Sequence, residues 1–193
     1  MDRIRGWVTD GKSVIGVRTA SHAFGAKPRP GYTPTDDQQS WDPLDRDVFG
    51  VRYDGHYGNN EGQSKVRRVR EVSNHPVMAK ITWSADQPVT SSLYRNLDID
   101  ERAMIFLSGH LENRPETYQP VSWTLDHGGV RSFYTSLGDT NHFKLPWFQT
   151  HLANAIGWGR NFHWHSCWRA VARGLKFKIT LDPTTPLVTR YEC

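Results

Sequence analysis

The sequence predicts an open α/β fold built mostly on parallel strands, and three stretches carry that expectation. Ile4, Trp7 and Val8 recur at helical spacing, and Asp10-Gly11 breaks the pattern. Ser13-Val14-Ile15-Gly16-Val17 follows at once. It is apolar without alternation, the pattern of a strand buried on both faces of a parallel sheet. Helix, tight turn and buried strand together make half of a βαβ unit. Met104 to Gly109 is a second such strand, and Pro146 opens the clearest helix. On that helix Phe148, Leu152, Ala155 and Ile156 recur every three to four residues, and Gly157 and Gly159 mark its end.

The elements between these follow in order. Residues 25–40 form a Pro/Gly-rich polar loop, long enough to be an excursion or a lid over a site. Trp41 to Phe49 reads as a short helix, with Pro43 in its first turn and Gly50 ending it. In Tyr53 to Asn60 glycines alternate with aromatic and polar residues, so the backbone either turns or approaches a ligand closely. Val66 to Val72 reads as a strand, Asn74-His75-Pro76-Val77 as a turn, and Ser91 to Tyr94 as a short segment. Val121–Leu125 and Val130–Ser136 flank Asp126-His127-Gly128-Gly129, a β-hairpin signal. From Asn161 the character changes: His163-Trp164-His165-Ser166-Cys167-Trp168 is dense in aromatics and histidine, and Asp182-Pro183-Thr184-Thr185-Pro186 is loop chemistry.

Composition narrows the classes. The 193 residues suffice for one good-sized domain, and 37% hydrophobic with 23% charged residues excludes wholesale disorder. No apolar run approaches the roughly 18 residues of a membrane span, so no membrane partner is expected. Met1 to Trp7 lacks the apolar stretch of a secretory signal, which leaves the cytoplasm as the default compartment. Two cysteines, Cys167 and Cys193, exclude a disulfide scaffold and a multi-cysteine zinc site.

The net charge of +4 invites a nucleic-acid reading. Residues 1–160, however, hold 19 Lys+Arg against 18 Asp+Glu, and residues 161–193 hold 5 against 2. Most of the excess therefore lies in the last segment. The cluster Lys65-Val66-Arg67-Arg68-Val69-Arg70 alternates as a strand with a solvated outer face does. No nucleic-acid partner is expected.

Candidate chemistry gathers near strand ends. The first strand runs into Arg18-Thr19-Ala20-Ser21-His22, which has neither a cysteine nor a Gly-x-Ser-x-Gly nucleophile motif. Ser21 and His22 there either satisfy loop backbone or contact a ligand. Of nine histidines, His22, His56, His110 and His142 fall at or just past predicted strand ends or in a glycine loop. That edge is where ligands bind in open α/β sheets. A metal or sugar site built from two or three of them is one outcome, and plain surface histidines the other. Trp41 is a candidate for ligand stacking, and His163 with His165 for chelation from one side of a strand.

Two stretches resemble the ThuA-like (trehalose-utilisation) domain of the class I glutamine amidotransferase-like superfamily. One runs from Gly11 to Phe24, then Trp41-Asp42-Pro43-Leu44-Asp45 and Gly55-His56-Tyr57-Gly58-Asn59. The other is Pro120-Val121-Ser122-Trp123-Thr124 with Phe133 to Gly138, continuing through Phe143, Pro146, Phe148 and Leu152 to Trp158. Asn74-His75-Pro76-Val77 resembles the family's His-Pro turn between them.

The resemblance implies a flavodoxin-like three-layer α/β sandwich with a mostly parallel sheet, and a link to carbohydrate metabolism. It covers about residues 5–160 and implies that 1–160 is a partial domain lacking its N-terminal βα units, with 161–193 as an unassigned tail. Such a domain would be marginally stable or self-associate, making a homo-oligomer an expected state. Thr19-Ala20-Ser21 replaces the family's elbow cysteine, so glutaminase chemistry is not expected. Asp139 stands where His is common.

The resemblance places a small-molecule carbohydrate against Arg18, Thr19, Ser21, His22, His56, Asn59 and Asp139. His22 and His56 are the candidates for a divalent metal such as zinc. Carbohydrate binding or processing is the leading reading; a non-catalytic module acting in protein interaction is the alternative.

Overall fold

The computed structural model describes residues 1–25, 40–58, 60–83, 85–127, 129–160, 178–181 and 188–192. The chain divides into two compact units, Met1–Arg160 and Asn161–Cys193. In the second unit β9 (Lys178–Leu181) and β10 (Val188–Glu192) pair antiparallel. The calls on His163, His165 and the cysteines lie outside the described residues, as does Asn59.

In the first unit α1 (Asp2–Thr9) leads into β1 (Val14–Val17) and a 3₁₀ turn, Arg18–Ser21. Next come α2 (Leu44–Phe49), β2 (Arg52–His56), β3 (Ser64–Arg68), a 3₁₀ turn at Pro76–Met78, β4 (Gln87–Val89) and β5 (Tyr94–Leu97). The remainder is β6 (Met104–Leu111), β7 (Arg114–His127), β8 (Val130–Thr135), a 3₁₀ turn at His142–Lys144 and α3 (Pro146–Gly159). Six strands form one sheet in the order β1-β8-β7-β6-β3-β4, and β2 pairs with β5 in a separate two-stranded sheet.

This architecture corrects the expected fold. Only β1 and β8 pair in parallel; every other described pairing is antiparallel. The sheet is mixed, and the flavodoxin-like, mostly parallel sandwich is absent from the described residues. The cause is connection length. β6 to β7 and β7 to β8 are joined by two-residue links, and a link so short can only reverse the chain. Register shifts between β6 and β7 mark bulges, which bend and twist the pair.

The continuous apolar runs carry no information about strand direction. They report strands covered on both faces, which is true here. One face carries Val66, Phe106, Val121 and Phe133 against Phe148 and Ala155 of α3. The other carries Trp123 and Tyr134 against Leu44, Val48 and Phe49 of α2. Trp123 is wholly buried, and its indole Nε1 donates to the Phe49 carbonyl at 2.8 Å. Gly50 ends α2 at φ 64, and a Cβ there would stand 2.7 Å from Leu125 Cδ2 and 2.9 Å from Asp100 Cβ. Only glycine fits both demands.

A buried polar cluster fastens α3 to the sheet. Ser122 Oγ lies 2.7 Å from His151 Nε2, and His151 Nδ1 lies 3.2 Å from the Val77 carbonyl. The ring therefore donates through Nδ1 and accepts the serine proton at Nε2. Asn154 Nδ2 donates to the carbonyls of Val77 (3.2 Å) and Ala79 (2.8 Å). Burial pushes His151 down to about 4, so it is neutral near pH 7.

The basic strand β3 turns its charges toward carboxylates: Lys65 to Glu112 at 2.6 Å and Arg67 to Asp86 at 2.8 Å. Among the described residues no helix is long and apolar enough to cross a membrane.

Candidate functional site

Arg18 is the centre of the candidate site. It follows the last residue of β1 and sits at φ 54, a left-handed conformation that a non-glycine residue adopts only where its surroundings hold it. This is the strand-to-helix turn where an elbow nucleophile would stand. Here the residue at the turn is an arginine, one place before the segment expected to replace the elbow cysteine.

The Arg18 guanidinium is pinned from several sides. Nη1 donates to the carbonyls of Ser92 (3.0 Å) and Ser136 (2.8 Å), and Nη2 to Ser92 Oγ (2.9 Å). Its plane lies over the Tyr94 ring, 4.1 Å from the centroid. Gly138, at φ 127, packs against Val17 and Arg18; a Cβ there would collide with Val17 Cγ1.

The turn itself is held from beneath. Tyr134 Oη donates to the Arg18 carbonyl at 2.7 Å and lies 3.0 Å from Ser21 Oγ. Ser21 is 2% exposed, and its hydroxyl stands 3.1 Å from His22 Nδ1. Its oxygen thus links the phenol to the imidazole and is not open to solvent. Burial pushes the Tyr134 phenol far up, so it acts as a neutral donor.

Sheet β2–β5 supplies the aromatic wall. The His22 ring stacks on Tyr53 with centroids 4.0 Å apart and planes 9° from parallel. Tyr53 meets Tyr94 at 4.9 Å, and the rings of His22 and His56 lie 5.7 and 6.2 Å from Tyr94. Burial raises Tyr53 and Tyr94, while Arg18 pulls both back toward the charged form. His56 is exposed, and its Nδ1 stands 3.1 Å from the Tyr57 carbonyl. Thr19 is exposed, its carbonyl accepting from the His22 backbone N–H at 3.0 Å.

Asp139 and His142 close the third side. Asp139 Oδ1 accepts from the backbone N–H of Asn141 (2.9 Å) and His142 (3.0 Å), and Oδ2 accepts from Thr90 Oγ1 (2.7 Å). Burial alone would raise this carboxyl, but the Thr90 hydroxyl and those N–H groups hold it below its ordinary range. His142 Nδ1 accepts from the N–H groups of Gly138 (3.1 Å) and Asp139 (3.2 Å), which puts the ring proton on Nε2. That Nε2 is buried and has no partner among the described residues. Burial pushes His142 down, against the pull of Asp139.

The structure thus brings Arg18, Ser21, His22 and His56 together through Tyr53 and Tyr94. Asp139 comes near through Ser136 and Gly138. Sequence reasoning left Tyr53, Ser92, Tyr94 and Ser136 without a role. The register Tyr53↔Asn96 and His56↔Tyr94 brings the tyrosines together, and it is a pairing between distant segments.

A metal fits poorly. Among the described residues no three His, Cys, Asp or Glu stand close enough to hold an ion. His22 and His56 would supply two ligands where zinc takes four or, in catalytic sites, three and a water.

Trp41 lies elsewhere and is already engaged. It is 6% exposed, its Nε1 donates to Asp47 Oδ2 at 2.7 Å, and Arg5 covers its ring at 4.5 Å. A cavity of about 400 Å³ lined by Arg5, Val8, Trp41, Asp47, Val48 and His127 opens there. His127 places it at the opposite end of β8 from Ser136.

The site at the strand ends is a polar and aromatic cluster on an α/β domain, with Arg18 and no nucleophile at its elbow. The family model for ThuA, trehalose utilisation, matches residues 1–159, and the chain belongs to that family. No curated protein matches the chain. Among solved structures the chain is similar to the cold-adapted β-galactosidase of Rahnella sp. R3, at 13% identity and a TM-score of 0.46. The match covers 94% of this chain and 22% of that one.

Proposed function

We propose that this domain binds a small carbohydrate or sugar derivative at the end of β1 and β8. The observation that supports the reading is the convergence of Arg18, His22, Tyr53, Tyr94 and His56 just beyond the carboxyl end of β1. There it stands beside Ser136, which follows β8, the strand paired parallel to β1. The carboxyl ends of parallel strands are where α/β sheets receive ligands. Sugars present hydroxyls and apolar C–H faces, which a cluster of imidazoles and phenols matches.

Binding is favoured over covalent catalysis. Arg18 occupies the elbow, and Ser21 is sealed beneath it. Any acid–base step would fall to His22, a half-buried imidazole backed by the Ser21 hydroxyl.

Calorimetric titration with a panel of mono- and disaccharides tests the proposal. The expected result is saturable heat from at least one sugar, weakened about tenfold or more by His22→Ala, since a lost buried hydrogen bond is worth that much. No heat from any member would defeat it. An elbow held by Arg18 in place of a nucleophile also fits a non-catalytic interaction module. Capture of a stable protein partner that His22→Ala and His56→Ala leave undisturbed, together with the absence of sugar heat, would select that reading.

A further inference from the structure

We infer that the Arg18 guanidinium is an oxyanion fork, and that the preferred ligand is an anionic sugar derivative bearing a carboxylate or phosphate. This rests on the proposed carbohydrate site and deepens it.

A guanidinium has five N–H donors in a fixed plane. Three of Arg18's are committed: both on Nη1, to the carbonyls of Ser92 and Ser136, and one on Nη2, to Ser92 Oγ. Ser92 takes its two bonds from Nη1 and Nη2 together, which uses the edge between those two nitrogens. The opposite edge, Nε–H with the second Nη2–H, has no protein partner among the described residues. Arg18 as a whole is half-buried, neither sealed in the core nor fully exposed. Two parallel N–H groups on one edge match the two oxygens of a carboxylate or phosphate.

No carboxylate comes within 4.0 Å of Arg18 among the described residues, whereas Arg52, Arg67, Arg95, Arg102, Arg114 and Arg131 each have one. Asp139 spends both oxygens on Thr90 and its own turn. The partners Arg18 does have are two carbonyls, a hydroxyl and an aromatic face, which orient the cation without neutralising it. Such a fork loses little freedom when an anion docks.

The test titrates the whole chain with glucose, glucuronate and glucose 6-phosphate at low and at physiological salt. The fork predicts binding at least about tenfold tighter for one or both anionic sugars than for glucose, since charge-assisted bidentate bonds are the strong ones. Glucuronate against glucose 6-phosphate tells which anion is preferred. Arg18→Lys, which keeps the charge and loses the fork, should bring that sugar to the affinity of glucose. Because Arg18 also holds the turn, a second readout uses the unaltered protein: the ¹H–¹⁵N resonance of Arg18 Nε should move on adding the anionic sugar and stay in place with glucose. Equal affinity for neutral and charged sugars, or an unmoved Nε resonance at saturation, would overturn the fork and leave the carbohydrate site standing. No binding of any of the three would overturn the fork, and silence across the whole panel of mono- and disaccharides would overturn the carbohydrate site as well.

Discussion

The domain contains two serine–histidine pairs, and they behave in opposite ways. Ser122 and His151 are 2.7 Å apart, both with no measurable exposure, and every polar atom of the pair has a partner. Ser21 and His22 are 3.1 Å apart; the serine is sealed, but the imidazole is half-buried and stacked on Tyr53. The shorter pair is the one that resembles a catalytic dyad by distance. It is a rivet between α3, the sheet and the Pro76–Met78 turn. The longer pair stands where a ligand can reach it. Exposure separates the two pairs here, and hydrogen-bond length does not.

The comparison breaks first at His151. His151→Ala should cost about 4 kcal/mol, combining a cavity with a stranded Ser122 hydroxyl and Val77 carbonyl. Chemical denaturation would measure it, and sugar binding by the remaining folded protein should be unchanged.

Acid gives the next largest effect. His151 sits at about 4 in the folded chain against an ordinary value of about 6.5 when unfolded. The unfolded chain therefore takes up the proton first as pH falls. This contribution is complete above about pH 6.5 and is lost as pH drops toward 4, by about 3 kcal/mol in all. Thermal melts between about pH 7 and pH 4 should show the loss. It should persist in His22→Ala and shrink in His151→Gln. Burial also holds His75 and His142 down, so part of the acid sensitivity remains in the second variant.

Gly138→Ala should cost about 2 kcal/mol, since φ 127 and the contact with Val17 both oppose a Cβ. Unlike His151→Ala, it should weaken ligand binding too, by displacing Arg18. Smallest in stability is His22→Ala, below about 1 kcal/mol for a half-buried ring, with its effect confined to the titration.

These contrasts also show what the sequence could convey. Periodicity and turn chemistry located α2, α3, β6 and the β7–β8 hairpin, because each is set by residues within a few positions of one another. Strand direction was not legible in Met104–Gly109. An uninterrupted apolar run says that both faces are covered and is silent on which way its neighbour runs. β2 was hidden because Gly55 interrupts its pattern at φ 84. At the candidate site, Arg18, Ser21, His22 and His56 were named from their place at a strand end or in the glycine loop. Tyr53, Ser92 and Tyr94 were not, since their roles arise from the β2–β5 register and from a contact between residues 74 positions apart. Trp41 drew notice as an aromatic in a polar stretch, but Arg5 and Asp47 had already claimed it.

The parallel pairing of β1 with β8 governs the order in which the molecule can assemble. Arg18 reaches across 118 residues of chain to the Ser136 carbonyl, and Tyr134 across 116 to the Arg18 carbonyl. Contacts of that separation incur the full entropy of closing a long loop before any bond rewards them. The antiparallel strands from β6 to β8 join by short links and need no such closure. β1 is therefore expected to dock late, onto a sheet that is already largely built. Until then the guanidinium has no second carbonyl and the turn has no phenol beneath it. The proposed site would thus be completed only by the last folding event.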